Sequence, residues 1–282
     1  MIKSQIMKKV LMVSPDYFNV EYAINPYMTT EDGKLQKVDV QKAHSQWNKL
    51  KDTYTRLGFS VEVIPGVQGL PDMVFTANQS FPFWDSEKNK PSVILSNMRS
   101  PYRNPEVCFF EDYYSKNNYD VFYLEKSSFE GNGDALIRPE TKEIYGGYGF
   151  RTDKSVYQDI EKITGHKVFL LELKSEYFYH LDTCFSILGK DSVAIVKEAF
   201  TNDDLEIIRR SFNDVIEIDL REARENFAGN CHSPDGKHVL LHPGSEKFKT
   251  QLKKKGFEII EIDTSEYIKS GGSVFCMKMM HY

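Results

Sequence analysis

The chain has 282 residues, 40% hydrophobic and 27% charged, without a low-complexity tract, so a folded protein with a large apolar core is expected. Its net charge of -5 leaves no basic footprint for nucleic acid or an anionic membrane, which points to small molecules or proteins as partners. Residues 1–10 carry lysines around only a brief apolar stretch, and no run approaches about 18 apolar residues, so neither a signal peptide nor a membrane span is read and a cytoplasmic protein is expected.

Residues 9–14 read as a short buried strand that runs into a loop over 16–26. Val40, Ala43, Trp47, Leu50 and Tyr54 recur at helical spacing in 39–57, and Gly58 supplies a stop. A strand over 59–64 then leads through a Pro/Gly loop to Pro71-Asp72-Met73-Val74-Phe75-Thr76-Ala77-Asn78. The grammar returns with a helix at 104–116, a strand at 119–124 and the loop Glu130-Gly131-Asn132-Gly133-Asp134. A hairpin over 135–145, a helix over 153–164 and a strand over 167–173 lead to His180-Leu181-Asp182. Another hairpin turns at Gly189-Lys190-Asp191, and the helix 203–212 and strand 215–220 lead to Gly229-Asn230. The last hairpin turns at Asp235-Gly236, and the helix 246–255 and strand 257–262 lead to Ser270-Gly271-Gly272-Ser273-Val274-Phe275-Cys276.

A period of roughly 45 to 60 residues is the mark of a repeat architecture. Four units are complete, and a fifth is expected to draw hairpin strands from 273–280 and 9–14, so that the two termini close a ring. An ordinary open α/β sheet is the competing reading. In the ring, each post-strand loop opens toward one axis, which brings Asp72, Glu130, His180, Asn230 and Cys276 together.

The four cysteines, Cys108, Cys184, Cys231 and Cys276, are scattered and lack the spacing of a zinc ribbon or a thioredoxin-type pair. They read as reduced thiols, and no metal or other cofactor is expected. A cysteine is by itself more often a buried structural residue than a nucleophile. Convergence with His180 and Glu130 makes thiol chemistry plausible, because the thiolate is the nucleophile, a histidine can carry a proton and a carboxylate can orient that histidine. Cys276 is then expected to be the most readily alkylated thiol. Asp72, Glu130, Asp134 and Asp182 make an acidic pocket, which suits a cationic planar group held by forked hydrogen bonds, such as a guanidinium. Arg99, Arg103 and Arg151 flank these loops and are the candidates for a substrate carboxylate.

The four motifs 71–78, 130–134, 180–182 and 271–276, in this order and across nearly the whole chain, resemble the guanidino-group modifying enzymes of the pentein fold. That family includes arginine deiminase, dimethylarginine dimethylaminohydrolase, the amidinotransferases and the bacterial arginine dihydrolases. The resemblance implies a five-bladed α/β propeller formed by residues 1–282 as a single catalytic domain. It also implies Cys276 as nucleophile, His180 as acid and base, and Glu130 and Asp72 as carboxylates that orient the substrate.

In the deiminases and dimethylarginine hydrolases the loop of Asn78 ends in an aspartate, and the latter carry a glutamate where this chain has Ala77. The dihydrolases look like this chain, with an asparagine at that position and a segment like Tyr22 to Met28, so Asn78 and Asn25 join Asp182 as expected substrate contacts. An amide both donates and accepts, so Asn78 suits a ureido group as well as a guanidinium. The expected activity is therefore arginine dihydrolysis through a covalent thiouronium, giving ornithine, ammonia and carbon dioxide. Alternatives are a deiminase or dimethylarginine hydrolase stopping at citrulline, an amidinotransferase, and a non-catalytic propeller, which Cys276 and His180 argue against. Quaternary structure stays open, a homo-oligomer included.

Overall fold

A computed structural model describes residues 7–125 and 127–282; the first six residues of the segment weighed as a signal peptide lie outside the described residues. The described strands form five small, separate sheets. Strand β1 (Lys9–Val13) is followed by helix α1 (Val40–Arg56) and the parallel strand β2 (Ser60–Ile64). The hairpin β3 (Ser80–Asp85) and β4 (Lys90–Leu95), not among the elements expected from the sequence, is followed by α2 (Val107–Lys116) and β5 (Asp120–Phe122) parallel to β4. After the one-turn helix α3 (Gly131–Asp134) come the hairpin β6 (Ala135–Ile137) and β7 (Glu143–Tyr148), helix α4 (Val156–Thr164) and the parallel strand β8 (Lys167–Glu172). The next unit is β9 (Phe185–Ile187), β10 (Ser192–Ile195), α5 (Asn202–Ser211) and β11 (Asp214–Glu217), followed by α6 (Leu220–Asn226). The last holds β12 (His238–Leu241), α7 (Glu246–Lys254) and β13 (Glu258–Glu261), then the short α8 (Ser265–Ile268) and β14 (Met279–His281), which pairs antiparallel with β1.

Helix α1 illustrates why the pattern folds this way. Ala43, Trp47, Leu50 and Tyr54 form one buried stripe, and Asp39 caps the start by accepting from the Lys42 N–H at 3.0 Å. Burying each large side chain of that stripe contributes about 1.5–3 kcal/mol. Val40, in register with the stripe, is the first helical residue and stays 48% exposed.

Three expected strands differ. Residue 220 begins α6 rather than ending a strand, because Asp219 turns the chain by accepting from the N–H groups of Arg221 and Glu222. The first arm of the last hairpin is reduced to one bridge, His232 to Leu240. The strand expected over 273–280 is a turn at 274–277 followed by β14 alone, since the N–H groups of Ser273 and Cys276 go to the Asn230 side chain instead of a ladder. No helix among the described residues is long and apolar enough to cross a membrane.

Candidate active site

Short turns after the crossover strands carry the site. Asp72 lies in the turn Pro71–Val74, Glu130 precedes α3, His180 and Asp182 sit at Leu181–Thr183, Asn230 ends Ala228–Asn230, and Cys276 is on the turn 274–277. Asp72, Asn78, Arg103, Arg151, His180 and Cys276 line one cavity, with Ile24, Asn25 and Met28 supplying another wall. Its volume is about 10 Å³, room for about one water.

Tight backbone makes the approach of these turns feasible. A Cβ on Gly133 would collide with Asn78 Nδ2, so only glycine lets the Glu130 turn lie against Asn78. Gly271 has φ +84° and accepts a hydrogen bond from the Tyr179 hydroxyl through its carbonyl at 2.5 Å.

Glu130, fully buried, meets His180 Nε2 at 2.6 Å through Oε2, and Arg151 Nη1 donates to the same oxygen at 3.3 Å. Burial pushes the Glu130 carboxyl up, but Arg151 and the His180 hydrogen bond outweigh it and hold the group down at about 2. An ionised Glu130 fixes the imidazole tautomer with its proton on Nε2. His180 Nδ1 then faces Asn78 Nδ2 at 3.5 Å.

The thiol of Cys276 does not bond to His180. It donates to Asp182 Oδ2 at 3.2 Å and accepts from Asn230 Nδ2 at 3.1 Å, while Asn230 Oδ1 accepts from the Ser273 and Cys276 N–H groups. Burial first, then the Asp182 carboxylate, push the thiol well above its usual range, so the free protein holds a neutral thiol. Burial likewise lifts Asp182 to about 7 and Asp134 to about 6, and raises Asp72. Two buried carboxylate oxygens, Oδ2 of Asp72 on the cavity wall and Oδ1 of Asp182, which like Glu130 lies behind the lining and touches Cys276, have no hydrogen-bond partner among the described residues. Such oxygens are expensive to bury empty-handed and suit an incoming donor-rich cation.

The candidate arginines part company. Arg151 lies on the cavity wall and donates to Glu130 and to the Ile24 carbonyl, at 2.8 Å for the latter. Arg103, also on the wall, spends its guanidinium on Glu106, Asn78 and the carbonyls of Asp72 and Phe75. Arg99 is outside the cavity lining; its side chain pairs with Asp153, while its backbone N–H donates to Glu130 Oε1 at 3.2 Å. Asn25 caps the turn Pro26–Met28 and donates through Nδ2 to the Ser270 carbonyl at 3.0 Å, tying the loop wall to the cysteine segment. Among the described residues no His, Cys, Asp and Glu cluster is arranged to hold a metal ion.

Residues 14–282 match the sequence profile of the eukaryotic N,N-dimethylarginine dimethylhydrolases. The chain belongs to this guanidino-hydrolase family of the pentein enzymes. It is 37% identical over 269 residues to the N(G),N(G)-dimethylarginine dimethylaminohydrolase of Mycobacterium tuberculosis, covering 95% of this chain and 84% of that one. The bifunctional arginine dihydrolase/ornithine cyclodeaminase AgrE of Nostoc is 32% identical over 96% of this chain, which spans 37% of that longer protein. Among solved structures, the N-terminal domain of ArgZ, a cyanobacterial arginine dihydrolase crystallised with substrate, superposes with a TM-score of 0.88 at 31% identity, over 96% of this chain and 97% of that one.

Two residues of this site escaped sequence reasoning. Asn230 was placed among the converging loops without a role, yet it holds both the thiol and the backbone of Cys276. Lys278, two residues beyond the cysteine, is 1% exposed; its signal was a lysine inside the otherwise apolar run 274–280.

Proposed function

We propose that this hydrolase acts on arginine and carries it through two rounds to ornithine, with Cys276 as nucleophile, His180 as acid and base, and Glu130 as its orienting carboxylate. The observation that supports the two-step reading is the direction of the Asn78 amide. Arg103 Nη1 donates to its Oδ1 at 2.9 Å, so the Nδ2 end is turned toward His180 and the cavity. A donor at that point gains nothing from a guanidinium, which only donates, but serves the carbonyl oxygen of a ureido group.

Asp72 and Asp182 accept from the guanidinium through the oxygens that now lack partners. Arg151 keeps N–H groups free for the substrate carboxylate, whereas Arg103 and Arg99 are committed to protein acceptors. With room for about one water in the cavity, arginine enters only when the loop carrying Ile24, Asn25 and Met28 moves aside.

In the first round the Cys276 thiolate bonds to the guanidino carbon and ammonia leaves with a proton from His180. Water, deprotonated by His180, then displaces sulfur and frees citrulline. The second round repeats the attack at the ureido carbon, expels a second ammonia and leaves an S-carbamoyl cysteine. Its hydrolysis gives a carbamate that loses carbon dioxide to yield ornithine, consuming two waters in all.

The same reading takes the five sheets as the blades of an α/β propeller within one domain of residues 1–282. It is supported by the repeated hairpin, crossover and parallel strand, and by the pairing of β14 with β1 from opposite ends of the chain. Dimethylarginine hydrolysis to citrulline and dimethylamine is the second reading, favoured by the matching family description and the 37% identical relative. Incubation with arginine, citrulline and dimethylarginine, followed by mass spectrometry, separates them. Ornithine from arginine is the expected product; citrulline as the end point, or dimethylamine release, replaces the two-step reading.

A further inference from the structure

Lys278 leaves the same turn as the nucleophile, two residues on, and is buried to 1%. Its ammonium sits 3.2 Å from the centroid of the Phe275 ring, the residue before Cys276. Among the described residues it has no carboxylate at ion-pair distance. Lysine is almost never fully buried unless paired. The anionic groups it feels are Asp182 and Cys276, and these two share a hydrogen bond of 3.2 Å.

We infer that Lys278 is a positioning residue for the nucleophile, its ammonium supplying the positive field that keeps one negative charge on the Cys276–Asp182 pair. The pair holds one proton between sulfur and Oδ2. When that proton passes to Asp182, sulfur becomes the thiolate without any proton leaving the site, and the charge of the pair does not change. Without the ammonium the pair takes up a second proton, and both members become neutral.

The other titratable groups around it do not supply this charge. His232, edge-on to the Phe275 ring, is kept neutral by burial and is hydrogen-bonded to Tyr54 at 2.8 Å. Tyr179 and Cys184, which face Cys276 and Asp182, are held protonated by burial. Arg103 acts on Asp182 but is already matched by Glu106. Burial lowers Lys278 itself to about 7, and Asp182 and Cys276 oppose that fall, as linkage of the three protons requires.

The inference rests on Cys276 being the nucleophile, and its test needs no turnover. In a Cys108→Ser background, iodoacetamide alkylation of Cys276 is followed against pH for the native and Lys278→Met proteins. A nearby cation favours thiolate, and Lys278 carries its proton below about 7, so in that range its loss slows alkylation about tenfold. An unchanged alkylation rate below about pH 7 overturns the inference and leaves Cys276 as nucleophile; modification of a cysteine other than Cys276 overturns the function reading instead. Should Lys278→Met not fold, NMR titration of the Lys278 ammonium in the native protein and in Asp182→Asn decides. Loss of the pair's negative charge is expected to lower the lysine's titration point, and identical titration in both proteins overturns the inference.

Discussion

Arg103 and Asn78 are bound through Nη1 and Oδ1 at 2.9 Å, both within the protein interior, and this single bond decides which end of the amide the cavity sees. Asn78→Asp keeps the acceptor for Arg103 but replaces the donor by a second carboxylate oxygen beside His180 Nδ1. An anion there repels a ureido oxygen and holds a guanidinium. The expected outcome is citrulline accumulation from arginine, with the citrulline-to-ornithine rate down by at least about tenfold, the scale of one lost buried hydrogen bond of roughly 1–3 kcal/mol. Product ratios by mass spectrometry check this; unchanged ornithine yield removes Asn78 from the explanation.

Asp182 makes a second, pH-dependent prediction. Its folded-state titration point is raised, by burial above all, to about 7. A raised group contributes stability below the ordinary carboxylate range and loses it as pH rises toward the folded value. Asp182→Asn keeps an acceptor for the Cys276 thiol and removes this loss. The variant is therefore expected to melt higher than the native protein at pH 8, with the difference shrinking to nothing near pH 4, while turnover falls. Thermal unfolding at both pH values measures it, and a difference independent of pH contradicts the assigned burial effect.

The units of the fold were legible largely through an amphipathic helix followed by a short strand, a periodicity that shows in single residues such as Trp47, Leu50 and Tyr54, while the β3–β4 hairpin was not. The motif residues Asp72, Glu130, His180 and Cys276 were legible because each follows such a strand. What stayed hidden depends on partners far along the chain. Asn230, 46 residues before Cys276, takes the N–H groups that a strand reading gave to a ladder. Arg103 was expected to face a substrate carboxylate, but it is buried against Glu106, to which Gln79 donates at 2.6 Å, a partner the sequence did not single out. The accessibility of thiols was hidden as well: Cys108 is exposed and Cys276 buried, so a reagent in bulk water meets Cys108 first, against the expected preference for Cys276.

Asn230→Ala strips a donor from the Cys276 thiol and an acceptor from two buried N–H groups. Each buried group left without a partner costs about 1–3 kcal/mol, so the melting temperature is expected to fall by several degrees. Turnover should drop further than in Ser186→Ala, whose hydroxyl donates to the Gly229 and Cys231 carbonyls without touching the thiol. Calorimetry together with single-turnover kinetics tests it; equal kinetic losses in the two variants mean that Asn230 acts only through stability.

Glu130 and His180 should behave as one unit. Glu130→Gln retains an acceptor for Nε2–H at 2.6 Å but removes the charge that Arg151 and a protonated imidazole both need. His180→Ala is expected to lose roughly 10²- to 10⁴-fold in turnover, and Glu130→Gln a large share of the same factor. The double variant should lose little more than His180→Ala alone, because Glu130 acts through the ring it orients. Glu130 is held at about 2, so it stays ionised and its stabilising pair persists until pH falls through that value; no acid limb in the rate profile between pH 4 and 6 should therefore disappear in Glu130→Gln. Full multiplicative losses in the double variant, or an acid limb in that range that Glu130→Gln abolishes, contradict a charge-bearing Glu130 that works through His180.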